Sequence, residues 1–134
     1  MVDDDPEVHQ ALSLALSQAR IHGRRIRLAH CTSAAEARRL LQSGADTFDL
    51  VLLDVVMETA DAGLRLLDEI NGLSATRTLP VILHTGQPGS APEHVVRGRY
   101  EISGYLTKAT VTRQGLIEAL GAVLAGGPPT ESSL

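Results

Sequence analysis

The sequence predicts an α/β protein built on a doubly wound parallel sheet of five strands. Two observations carry this. Strand and helix patterns alternate five times, as in βα units with helices on both sheet faces. Several strands are continuous apolar runs, as strands buried on both faces are.

The elements follow in order. Val2 leads into Asp3-Asp4-Asp5 and ends a first strand. With only Met1 and Val2 before the acidic run, that strand is shorter than its neighbours, so upstream residues are expected. A helix is predicted over 6–19, with Asp5 as N-cap, Pro6 at its first position and Gly23 as its stop. Ile26, Leu28 and Ala29 read as a short strand before Cys31. Thr32 or Ser33 caps a helix over 34–43, which Gly44 ends. Leu50–Leu53 is a buried strand ending at Asp54, and Leu64, Leu66, Leu67 and Ile70 mark a helix broken near Gly72. Pro80–Leu83 is another buried run, leading into His84 and Thr85. Two glycines and two prolines make 86–92 a loop. A weak helix at Glu93–Arg99 precedes a strand at Ile102–Leu106, and Leu116, Leu120 and Leu124 belong to the stripe of a last helix. Residues 1–125 are read as one domain and 126–134, GGPPTESSL, as a linker or tail with another domain beyond.

Bulk composition narrows the function. The 134 residues suit a single domain. At 43% hydrophobic, without Trp and with one Phe, the core is aliphatic. The net charge is −4 with no basic block, which argues against direct nucleic-acid binding. One cysteine, no secretory signal and no membrane-length apolar run fit a cytoplasmic protein off the membrane. HExxH, GxSxG, P-loop and GxGxxG motifs are absent.

In a parallel sheet, the loops after the strand C-termini share one edge, where ligands bind. Asp3, Asp4, Asp54, Thr85 and Lys108 all stand at such strand ends. Together they supply carboxylates, a hydroxyl and an ammonium, an inventory for a divalent cation and a phosphoryl group. Singly, Asp3–Asp5 is better read as a helix cap, Thr85 as a turn residue and Lys108 as a surface lysine. Asp54, after four apolar residues, needs a partner.

The segments VDDDP, VLLDVVM, VILHTG and GYLTK, in this order at strand ends, resemble a response-regulator receiver domain over residues 2–125. DVVMETADAGLRLL and TGQPGSAPE further resemble a receiver subset attached to output domains, some acting on cyclic di-GMP. The resemblance implies a flavodoxin-like (βα)5 fold with strand order 2-1-3-4-5. It also implies that Asp54 accepts the phosphoryl group, with Thr85 and Lys108 as its catalytic companions. Asp3, Asp4, Asp54 and the Val56 carbonyl would hold Mg²⁺, the alternative acidic pair being Asp4 and Asp5. Thr85 and Tyr105 would form the conformational switch. A histidine kinase or phosphotransfer protein would donate, and a C-terminal output domain would respond. The protein would be a switch rather than an enzyme on external substrates. The competing reading is a phosphorylation-independent interaction module on the same fold. Glu58 stands where the family often has proline, and Ala109 where a cis proline is frequent. Replacing Lys108 by Ala is expected to spare the fold.

Overall fold

A computed structural model describes residues 1–124; the expected tail at 126–134 lies outside them. In chain order the elements are α1 (Pro6–Leu16), β1 (Arg20–Ile21), β2 (Arg24–Arg25), α2 (Ala34–Gly44), a 3-10 turn (Ala45–Thr47), β3 (Val51–Leu53), α3 (Ala62–Gly72), β4 (Val81–Thr85), α4 (Glu93–Arg99), β5 (Gly104–Thr107) and α5 (Arg113–Leu124).

β3, β4 and β5 pair in parallel, in that order. Val2 extends the sheet by single parallel bridges to Leu53 on one side and Cys31 on the other. Val2 N donates to Leu52 O, Asp54 N to Val2 O, Asp3 N to Cys31 O and Cys31 N to Met1 O. Counting the Val2 and Cys31 segments as the first two strands, the order is 2-1-3-4-5, as expected. The expected strand at Ile26–Ala29 is absent. This segment meets the first strand only through single contacts at Ala29 and Cys31, without a continuous ladder.

Alternation along the strands sorts side chains onto two faces. Val51, Leu53, Val81 and Leu83 pack with Ala34, Ala37, Leu66, Leu67, Ile70 and Val96 of α2, α3 and α4. Leu52 and Ile82 pack with Leu12, Leu16, Leu116 and Leu120 of α1 and α5.

The segment after α1 departs from expectation. The helix ends at Leu16, and Gly23 instead belongs to an antiparallel hairpin in which Arg20 faces Arg25 and Ile21 faces Arg24. His22 (φ 51°) and Gly23 (φ 80°) both take the left-handed conformation that the tight turn of a two-residue hairpin requires. His22 Nε2 lies 3.0 Å from Gly121 O and pins the turn to α5. Ile21 is buried, whereas Arg20, Arg24, Arg25 and Arg27 are exposed. The chain thus does carry a local basic patch.

The helix caps are readable in the residues. Asp5 Oδ1 accepts from Glu7 N at 2.9 Å, and Ser33 Oγ accepts from Glu36 N at 3.1 Å. No described helix is long and apolar enough to cross a membrane.

Candidate functional site

The strand order puts the ends of the Val2 segment, β3, β4 and β5 at one sheet edge. A cleft of about 300 Å³ opens there, lined by Asp4, Asp5, Asp54, Val56, Met57, Gly86, Gln87 and Lys108. Asp3 and Asp54 are buried, 1% and 5% exposed, and Asp4 is exposed. Carboxylate oxygens of Asp3, Asp4 and Asp54 lie within 4.8 Å of one another. Asp5 lines the same cleft but is not part of that trio; its Oδ1 accepts from Glu7 N at the start of α1.

Lys108 Nζ lies 3.0 Å from Asp54 Oδ2 and 2.7 Å from Asp3 Oδ2. It is the only lysine of the chain. Its contact with Asp54 is an aligned hydrogen bond. That with Asp3 is ionic contact without alignment, and Asp3 Oδ2 has no hydrogen-bond partner. Burial raises the Asp54 carboxyl above the ordinary range; Lys108 counteracts this and Asp3 adds to it. For Lys108, burial works against the charge, but the close contacts with the Asp3 and Asp54 carboxylates outweigh it and raise the ammonium.

Hard oxygen donors, a buried carboxylate oxygen without a hydrogen bond and a solvent-open cleft suit Mg²⁺, which favours oxygen ligands and retains waters. The residues present therefore fit that ion.

Thr85 is fully buried at the end of β4 and does not line the cleft. Its Oγ1 accepts from Gln87 N at 3.0 Å, leaving its hydrogen free to donate, and its carbonyl accepts from Lys108 N at 2.8 Å. Tyr105 is half-buried on β5, and its hydroxyl donates to Ala91 O at 2.6 Å. Thr85 and Tyr105 thus grip the two ends of the loop that leads into α4. The Lys108–Ala109 peptide is trans, as all described peptides are. Glu58 turns away from the acidic trio: its Oε2 accepts from Ala34 N at 3.2 Å, at the start of α2.

Two features escaped the sequence reading. A Cβ on Gly63 would lie 2.0 Å from Asp54 O and 2.6 Å from Val55 Cα. Only glycine lets α3 start this close beneath the Asp54 strand end, where Gly63 N donates to Val55 O at 2.9 Å. Its place after a loop was visible, its closeness was not. The second is a histidine pair behind Asp3, which no sequence spacing announced: His9 Nε2 lies 2.6 Å from Asp3 O.

The family profile of the response regulator receiver domain matches residues 1–120. The 3'3'-cGAMP-specific phosphodiesterase 2 of Vibrio cholerae is 40% identical over 124 residues. That match takes in 92% of this chain but only 24% of the relative, so the chain spans about a quarter of its length. The signal receiver domain of a histidine kinase from Syntrophus aciditrophicus is 30% identical, with 99% of this chain and 93% of that one covered and a TM-score of 0.73. The N-terminal domain of a response regulator receiver protein from Methanoculleus marisnigri is 34% identical, covering 92% and 93%, with a TM-score of 0.63.

Proposed function

The chain belongs to the response regulator receiver domain family, and from that premise we propose that it accepts a phosphoryl group on Asp54 from a histidine kinase or phosphotransfer protein. The observation that carries this is Asp54, buried at a strand end, facing Asp3 and Asp4 and hydrogen-bonded to Lys108.

The residues divide the work. A carboxylate oxygen of Asp54 forms the bond to phosphorus as the bond from phosphorus to the donor imidazole nitrogen breaks; the imidazole leaves with its proton. Lys108 meets negative charge on the phosphoryl oxygens, and Thr85 donates its free hydroxyl hydrogen to one of them. Asp3, Asp4, Asp54 and the Val56 carbonyl would hold Mg²⁺, which when bound would supply positive charge beside the transferring group. Movement of Thr85 releases Gln87 N, loosening the 86–92 loop, and Tyr105 follows through its bond to Ala91. The β4–α4–β5 region so reports the state of Asp54.

The reading extends to an output domain, with residues 1–125 as the receiver and the segment from 126 as the connection. The likeness to a 3'3'-cGAMP phosphodiesterase of much greater length supports an output concerned with cyclic dinucleotides.

Acetyl phosphate with Mg²⁺ should add one phosphoryl group to the wild type and none to Asp54→Ala, read by intact-mass spectrometry. Equal labelling of both proteins, or of neither, would overturn the reading; the second result favours a phosphorylation-independent module.

A further inference from the structure

We propose that His9, backed by His30, is a positioning residue that aims the Asp3–Asp4 segment. The inference rests on the reading that these two aspartates hold a divalent cation.

His9 lies in the first turns of α1 and is 7% exposed. A buried imidazole needs partners for both nitrogens. Nε2 lies 2.6 Å from Asp3 O, and Nδ1 lies 2.7 Å from His30 Nδ1. His30 Nε2 in turn lies 3.2 Å from Ser13 Oγ at the surface. Whichever ring holds the shared proton between the two Nδ1 atoms, His9 Nε2 must donate, because a carbonyl can only accept.

The carbonyl that His9 holds belongs to the peptide joining Asp3 to Asp4. That unit is planar, so fixing its C=O direction fixes where the Asp4 backbone begins. The flanks are fixed too: Asp3 N donates to Cys31 O, and Asp5 N donates to Asp3 Oδ1 at 2.9 Å. Among the described residues the Asp4 side chain accepts no hydrogen bond, so its carboxylate is aimed only through its backbone. His30 adjoins Cys31. One strand end therefore grips Asp3 by its N–H directly and by its C=O through two imidazoles.

A purely structural His9 would satisfy a buried carbonyl and do nothing for the metal. The two roles separate in the full chain with His9→Leu, which removes the donor, and His9→Gln, whose Nε2–H can replace it. Groups that orient metal ligands typically change affinity 10–100-fold. Mg²⁺ binding, measured by calorimetry, should weaken about tenfold in His9→Leu and stay within about threefold in His9→Gln. In EDTA, the Asp4 and Asp5 amides should exchange hydrogen faster in His9→Leu, with His9→Gln close to wild type. Unchanged Mg²⁺ affinity and amide exchange in His9→Leu, or equal losses in both variants, would overturn the proposal. A wild type that binds no Mg²⁺ would overturn the metal reading, and the exchange rates would still decide whether His9 positions this segment.

Discussion

At the cleft, Asp3 and Asp54 are buried and share one cation, Lys108. At the hairpin, Arg20, Arg24, Arg25 and Arg27 are exposed, and none has a carboxylate in ion-pair reach among the described residues. The 11-residue α1 separates the two by about 16 Å. The hairpin's unmatched charges stand in water, where like charges interact weakly and salt screens them. The cleft's charges are withdrawn from water, so the two carboxylates depend on one ammonium, and burial raises the Asp54 carboxyl. Unbalanced charge is therefore cheap at one end and a store of free energy at the other, available to an ion or an anion that balances it.

Substitutions at each end test that contrast. The largest effect is expected from Gly63→Ala, whose Cβ cannot fit beside Asp54 O. It should cost about 3 kcal/mol, far more than alanine's helix preference returns, and should also blunt the Mg²⁺ response. Denaturant unfolding with and without Mg²⁺ measures both.

Lys108→Ala comes next. The expectation that it spares the fold does not survive the geometry, since it strands two buried carboxylates. Without Mg²⁺ it should lose about 2 kcal/mol, less than for a fully buried pair because Lys108 is 23% exposed. Added Mg²⁺ should restore much of the loss; a melting temperature equal to wild type in EDTA would break the comparison.

Asp54→Asn should act oppositely, raising metal-free stability near neutral pH by about 1 kcal/mol and gaining less from Mg²⁺. The sign follows from the raised carboxyl. Folded Asp54 binds its proton at higher pH than the unfolded chain does, so its ionisation costs stability as pH rises. The gap between variant and wild type should close on acidification toward the ordinary carboxylate range, followed by melts in EDTA. A gap independent of pH would detach the effect from that charge.

The smallest effect belongs to the hairpin. Arg25→Glu replaces a like-charged cross-strand pair with an attractive one and should stabilise by about 0.5 kcal/mol. Melts at low salt should show the gain, and about 1 M salt should erase it.

What the residues disclosed depended on how local the cause was. Buried runs such as Val81–Leu83 and the Asp5 and Ser33 caps are set by neighbours in sequence, and each formed where expected. Glu93–Arg99 formed a helix with the expected bounds. The hairpin was not legible, because two-residue strands carry no alternation and a glycine after a helix reads as its stop. At the cleft, strand ends named Asp3, Asp4, Asp54 and Lys108, but not their mutual contacts. The Tyr105–Ala91 bond and the turn of Glu58 toward α2 arise between distant segments. No residue type announces them.

That every other basic side chain apart from histidine is arginine makes the cleft chemically addressable. Within these 134 residues an amine-selective reagent has a single side-chain target, Lys108 Nζ, seated between Asp3 and Asp54. Footprinting at one position thus becomes a direct meter of the cleft: the rate at which Lys108 is modified reports how tightly its two carboxylates hold it, without a fluorophore, an isotope or a second labelled site.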